Sequence, residues 1–218
     1  MIVESSGAIT LVGGGALPRR DLALAMARAP RLVAVDGGAN RLADRGLMPE
    51  AVIGDMDSLR LDVRAVLPAT VLHEMAEQDS TDFDKALRSV RAPLVLAVGF
   101  QGARLDHGLA VLTALVVRAQ HRCIVIGATD IVFHAPPSLC LKLPQGDRLS
   151  LFPLARVTGR STGLRWPIDG IDFAPDGMIG TSNQVVARQV RLEFDAPGML
   201  VILPRRRLDA AIAAVTGQ

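Results

Sequence analysis

Acidic residues clustered at short spacing are the groups in this chain best suited to chemistry. Asp36-Gly37-Gly38-Ala39-Asn40 follows the apolar run Val33-Ala34-Val35. Gly54-Asp55-Met56-Asp57-Ser58 follows Val52-Ile53, and Asp79-Ser80-Thr81-Asp82 opens a helical pattern. Side chains alternate along extended backbone, so Asp55 and Asp57 point the same way. Neighbouring carboxylates repel, and a hard divalent cation relieves that repulsion. Mg²⁺ is the usual one, held by a few carboxylates while it also touches phosphates. Each cluster has a plainer reading as well. Asp79 or Ser80 can cap the helix, and Asp36 can be a turn residue. The Asp55-Met56-Asp57 pattern has no such obvious structural use.

A fourth group, Gly102-Ala103-Arg104-Leu105-Asp106-His107, opens a long helix. Arg104 offers a planar fork to a phosphate. Asp106 can cap, bind metal or orient a hydroxyl. His107 is a base by residue type only, and a structural histidine is the plainer alternative. Gly14, within Gly13-Gly14-Gly15, can bring backbone N–H groups to a phosphate, although the loop matches neither common phosphate-binding glycine motif.

The elements that must hold these residues alternate along the first part of the chain. Strands are expected at Ile9 to Val12, Leu32 to Val35, Ala51 to Ile53, Thr70 to His73, Leu94 to Val98 and Cys123 to Ile126. Helices are expected at Asp21 to Arg28, Ala39 to Arg45, Thr81 to Val90 and Leu105 to Ala119. Such alternation implies a mostly parallel, Rossmann-like α/β sheet, whose ligands bind beyond the carboxyl ends of the strands. The clusters stand at those ends.

The pattern changes at Pro136-Pro137. Beyond it come short strands at Leu139 to Leu143, Arg148 to Pro153, Arg156 to Thr158, Met178 to Thr181, Val185 to Phe194 and Met199 to Leu203, separated by turn residues. The expected organisation is an α/β domain over residues 1–135 and a small antiparallel β-sandwich over 136–218.

Composition excludes several classes. The 218 residues carry a net charge of +2 and are half apolar, so disorder is not expected. No apolar run approaches the roughly 20 residues of a membrane span, and no secretory leader is seen, so a cytoplasmic protein is expected. With six Phe, one Trp and no Tyr, the chain lacks the aromatic platforms of a single-strand nucleic-acid binder. Arg205-Arg206-Arg207 reads as a solvated edge, and Cys123 and Cys140 as a buried pair of free thiols. The small net charge conceals a strong asymmetry. From Asp36 to Asp84, eleven acids face four arginines.

Taken together, these motifs resemble those of the thiamine pyrophosphokinase family. The family's D-x-G is similar to Asp36-Gly37-Gly38, its G-D-x-D-S to Gly54 through Ser58, its D-x-T-D to Asp79 through Asp82, and its G-G-R-x-D-H to Gly102 through His107. In the second domain, Gly163-Leu164-Arg165-Trp166-Pro167-Ile168 resembles the family's G-L-x-[WY]-P-L, and Gly180-Thr181-Ser182-Asn183 its S-N motif. Three departures stand out: Ala103 for a glycine, Val111 where an Asn is common, and Gln184 where Glu is frequent.

The resemblance implies an ATP:thiamine diphosphotransferase acting with Mg²⁺. The thiamine hydroxyl attacks the β-phosphorus of ATP and AMP leaves. The implied metal ligands are Asp55, Asp57 and Asp82, with Arg104 sharing phosphate charge and Asp79 or Asp106 orienting or deprotonating the hydroxyl. Gly14, Asp36, Gly37, Gly38, Asn40, Ser58, Thr81 and His107 are the implied ATP contacts. Thiamine is expected on Trp166, Ser182 and Asn183, at the interface of a homodimer. Without the resemblance, Trp166 reads as core and Ser182-Asn183 as a turn. Two other functions fit the motifs less closely: a diphosphokinase of similar fold acting on a hydroxymethylpterin, and a nucleotide sensor without turnover.

Overall fold

The computed structural model describes residues 1–102 and 104–217. The chain divides into two compact units. The first is Met1–Ala114 with Val125–Gly127, and the second is Leu115–Ile124 with the chain from Ala128 onward. Its strands form a mixed sheet, a separate three-stranded antiparallel sheet and a two-stranded parallel pair.

In chain order the strands are β1 (Val3–Glu4), β2 (Ile9–Val12), β3 (Arg31–Val35), β4 (Ala51–Gly54), β5 (Leu72–Glu74), β6 (Val90–Arg91), β7 (Val95–Val98), β8 (Cys123–Ile126), β9 (Asp130–His134), β10 (Ser138–Lys142), β11 (Arg148–Pro153), β12 (Gly159–Thr162), β13 (Gly180–Gln184), β14 (Gln189–Phe194) and β15 (Met199–Pro204). The helices are α1 (Arg19–Met26), α2 (Gly38–Ala43), α3 (Leu61–Val66), α4 (Asp82–Ser89), α5 (Leu105–Val117) and α6 (Leu208–Thr216).

In the first unit β7, β2, β3, β4 and β5 lie side by side, every pair parallel. Strands β2, β4 and β7 are buried at every position. Continuous burial is what a sheet covered on both faces demands, and it explains their unbroken apolar runs. Helix α4 packs on β3 and β4, and α2 on β2 and β3. The parallel direction puts the carboxyl ends of β3 and β4 at one edge, with Val35 opposite Ile53.

The second unit is antiparallel. Strand β11 pairs with both β13 and β15, and β15 with β9. In the separate sheet β14 pairs with β10 and β12. Burial alternates along β10 and β14, so that sheet has one buried and one solvated face.

Several expected elements shift. Residues 69–71 form a 3₁₀ turn, which shortens the expected strand from Thr70 to Leu72–Glu74. The expected strand Arg156 to Thr158 reduces to one bridge, Val157 to Phe173, and the ladder forms instead at β12. Val185 leaves the long expected strand to bridge Leu164. Strand β9 precedes Pro136-Pro137 yet pairs with β15, so the second unit begins before the prolines. Helix α3 has no counterpart among the expected helices: it buries only Val63 and leaves Leu61 and Val66 exposed, so it has no apolar stripe. Helix α6 did carry a signal: buried Leu208 and Ala211 at helical spacing, then Gly217 as a left-handed C-cap.

Two further readings change. Both cysteines are free, but only Cys123 is buried and Cys140 is exposed. The arginine triplet is not merely a solvated edge. Arg206 and Arg207 both donate to Asp147, whose side chain is only 5% exposed. No helix among the described residues is long and apolar enough to cross a membrane.

Candidate active site

The loops after β3 and β4 are built as one unit. The Asp36 N–H donates to the Ile53 carbonyl at 3.0 Å. Asp36 and Met56 take left-handed conformations, φ 44° and 63°, which side chains other than glycine adopt rarely and at a cost. The glycines are forced by space. A Cβ on Gly38 would lie 1.8 Å from the Val12 carbonyl oxygen, and one on Gly54, at φ 154°, 2.9 Å from the Asp36 Cβ.

This arrangement gathers Asp36, Asp55 and Asp57. One carboxylate oxygen from each lies within 4.8 Å of the others, and the three grade from buried through half-buried to exposed. A net of hydrogen bonds fixes the loop. Ser58 N–H donates to Asp36 Oδ1 and Asp57 N–H to Asp55 Oδ1, each at 3.3 Å. Ser58 Oγ donates to Asp57 Oδ1 at 2.8 Å, and Asn40 Nδ2 to the Ser58 carbonyl at 2.8 Å. In this geometry Ser58 and Asn40 serve the loop itself.

Asp82, the first residue of α4, belongs to the same field. Burial pushes its carboxyl above the usual range; Lys85 opposes that shift, and the charges of Asp55 and Asp36 add to it. Lys85 Nζ donates to Asp82 Oδ1 at 3.1 Å from an almost fully buried position. Sequence reading passed over this residue. Its signal was its rarity: one of two lysines in an arginine-rich chain, three residues after a motif acid.

The helix cap is neither Asp79 nor Ser80. Thr81 takes that position, and its hydroxyl accepts from the Asp84 N–H at 3.4 Å. Asp79 is exposed and its N–H donates to Glu77, which also accepts from Ser80 Oγ. Glu77 therefore organises the loop before α4.

Arg104, Asp106 and His107 are exposed at the start of α5. Arg104 grips Asp106 through two bonds of 3.2 and 2.6 Å, and this hydrogen bonding lowers the Asp106 carboxyl to about 2. Such a carboxylate is a weak base at neutral pH, and its visible work is to orient Arg104. Gly14 packs close to Gly37, and its carbonyl accepts from Arg41 Nε at 3.1 Å. Phe100 meets the buried Phe83 of α4 edge to face at 4.7 Å, which fixes the chain that leads toward Arg104. Val111 is buried, so an apolar residue suits its place on α5. The departure at Ala103 lies outside the described residues.

In the second unit, Trp166 is 54% exposed, so it is not a core residue. With Gly146, Arg148, Ser182, Asn183 and Gln184 it lines a cavity of about 310 Å³. Asn183 is buried and clamps Trp166 from both sides: Oδ1 accepts the Trp166 N–H at 3.2 Å, and Nδ2 donates to its carbonyl at 2.7 Å. Ser182 is left-handed at φ 60°, and its N–H donates to Ser150 Oγ at 3.0 Å. Among the described residues, the three non-glycine residues with positive φ thus all fall in sequence motifs, where strain marks a constrained site. Ser150, which positions Ser182, has no motif of its own and was invisible to sequence reading.

Chemically, the first unit offers a set of hard oxygen donors with one lysine inside it. The donor set suits a small divalent cation that keeps some positions for phosphate oxygens. The second unit offers an exposed indole on a cavity whose lining also includes Arg148, Ser182, Asn183 and Gln184.

Each of the two sites lies in a segment that resembles known proteins. A family model described as "Thiamin pyrophosphokinase, catalytic domain" matches residues 22–126, and one described as "Thiamin pyrophosphokinase, vitamin B1 binding domain" matches 139–199. Thiamine pyrophosphokinase 1 of Oryza sativa subsp. japonica is 28% identical over 203 residues, covering 78% of this chain and 77% of the relative. Thiamine pyrophosphokinase of Bacillus subtilis (strain 168) is 24% identical over 184 residues, covering 78% and 85%. Among solved structures, thiamin pyrophosphokinase from Geobacillus thermodenitrificans superposes with a TM-score of 0.72 at 24% identity, covering 90% of this chain and 96% of that one. The two family models, in order and over most of its length, establish that the chain belongs to the thiamin pyrophosphokinase family.

Proposed function

We propose that this protein transfers the diphosphate group of ATP to the hydroxyl of thiamine, giving thiamine diphosphate and AMP. The observation that carries the reading is the gathering of Asp36, Asp55 and Asp57 at the ends of β3 and β4, inside the segment matched by the catalytic-domain model. On this reading the first unit is a Rossmann-like catalytic domain and the second a β-sandwich that binds thiamine. ATP as co-substrate and two free thiols suit the cytoplasm. The active form is a homodimer, with thiamine bound at its interface.

Asp55 and Asp57, joined by Asp36 or Asp82, are the residues that would hold Mg²⁺. When bound, the ion supplies charge neutralisation on the phosphate oxygens. The chain's own residues do the rest. Asp36, fixed by Ile53 and Ser58, sets the carboxylates in place. Arg104, aimed by Asp106, meets the triphosphate with its planar fork. Asp79 accepts the proton as the thiamine oxygen bonds to the β-phosphorus and the bond to the α-phosphate oxygen breaks. Trp166 stacks on a flat ring of thiamine, and Ser182 offers a hydroxyl beside it.

The test is direct. Purified protein with ATP and Mg²⁺ is expected to release AMP on addition of thiamine and not of a hydroxymethylpterin. Release of AMP only with the pterin would move the assignment to that substrate. ATP binding without AMP from either alcohol would make the protein a sensor.

A further inference from the structure

One face of the Trp166 indole is already taken. The guanidinium carbon of Arg165 lies 5.1 Å from the ring centroid, within the range over which an arginine is drawn to an indole face. Trp166 and Gln184 line the neighbouring cavity, whereas Arg165 does not, so Arg165 covers the ring from outside that cavity. The guanidinium is held in turn. Its Nη1 donates to Gln184 Oε1 at 3.1 Å, and the Arg165 backbone N–H donates to the Gln184 carbonyl at 2.8 Å. The Asn183 bonds act on the Trp166 backbone, while the Arg165 stack acts on the ring.

We propose that Arg165, fixed by Gln184, is a positioning residue that holds the Trp166 indole at one angle and so presents its cavity-side face to a flat heteroaromatic substrate. The inference rests on the proposed function for the identity of that substrate as thiamine. It rests on the geometry alone for the stack. An ordered aromatic surface binds without first losing its torsional freedom, so the benefit is pre-organisation.

Trp166 is the only tryptophan, so the intrinsic indole emission reports this ring alone. Acrylamide quenching and thiamine kinetics are measured on the wild type, Arg165→Ala and Arg165→Lys, with matched melting temperatures as the control for folding. Arg165→Ala is expected to raise the quenching constant and to raise the thiamine KM about two- to five-fold, the size of an exposed cation–π contact, with the loss carried by KM rather than kcat. Arg165→Lys keeps the charge but loses the planar fork that stacks and bonds Gln184 together, and it is expected to behave like Arg165→Ala. Unchanged quenching in Arg165→Ala, or wild-type behaviour of Arg165→Lys, overturns the stack. Raised quenching with an unchanged thiamine KM overturns the positioning role. A wild type that releases no AMP with thiamine overturns the functional reading and the substrate half of this one, while the quenching result still decides the stack.

Discussion

The Lys85 ammonium donates to the Asp82 carboxylate at 3.1 Å, with the lysine side chain 2% exposed and the aspartate 31%. This pair sets a buried cation beside a group of acids that would otherwise face one another alone. Asp82 feels the charges of Asp55 and Asp36 as well as that of Lys85, so the lysine offsets charge for the cluster as a whole.

Lys85→Met is therefore expected to destabilise the metal-free protein by about 2–3 kcal/mol, less than for a fully buried pair because Asp82 is partly solvated. Urea denaturation with and without Mg²⁺ checks this. A divalent cation meeting the same carboxylates recovers part of the loss. A loss of equal size with and without Mg²⁺ separates Lys85 from the acid cluster.

Asp36→Asn, Asp55→Asn and Asp57→Asn each replace a charged carboxylate of the cluster with a neutral amide. Each is expected to weaken Mn²⁺ binding, followed by electron paramagnetic resonance, at least about tenfold, and to lower turnover about a hundredfold or more while the fold persists. Normal Mn²⁺ affinity in Asp57→Asn would remove that residue from the ligand set.

The pair of arginines on Asp147 makes a pH-dependent contribution to stability. Burial pushes its carboxyl up, but hydrogen bonds from Arg207 and Arg206 prevail and hold it below the usual range. A lowered folded value means stability that is present at neutral pH and lost as pH falls through that value. Asp147→Asn is expected to cost about 1.5–3 kcal/mol at pH 7. The difference from wild type should shrink below about pH 4, read by chemical denaturation across that range.

Thr81 and Asp79 separate a cap from a functional acid. Thr81→Ala removes the hydroxyl that accepts from Asp84 and is expected to cost about 0.5–1 kcal/mol of stability. Asp79→Asn is expected to leave the melting temperature unchanged and to lower turnover at saturating substrates. A drop in melting temperature with normal turnover would make Asp79 structural.

Sequence by itself determined the strand-ending acids. Short unbroken apolar runs locate β3 and β4, and a parallel sheet puts ligands at their carboxyl ends, so Asp36, Asp55 and Asp57 were legible from pattern alone. The resemblance then gave the chemistry. Tertiary structure decided what depends on contacts between distant segments. Sequence spacing carries no information about which carboxylates share one field, so neither the joining of Asp36 to Asp55 and Asp57 nor the pairing of Asp82 with Lys85 could be read in advance. Helix α3 lacks a stripe because it buries a single residue, and the cap at Thr81 follows from backbone angles that three neighbouring polar residues could all have satisfied. The exposure of Trp166 was likewise undecidable, since an indole serves a core and a binding face equally well. Its place is fixed by Asn183 and Arg165, and hydrogen bonds across 17 residues leave no trace in the periodicity of either segment.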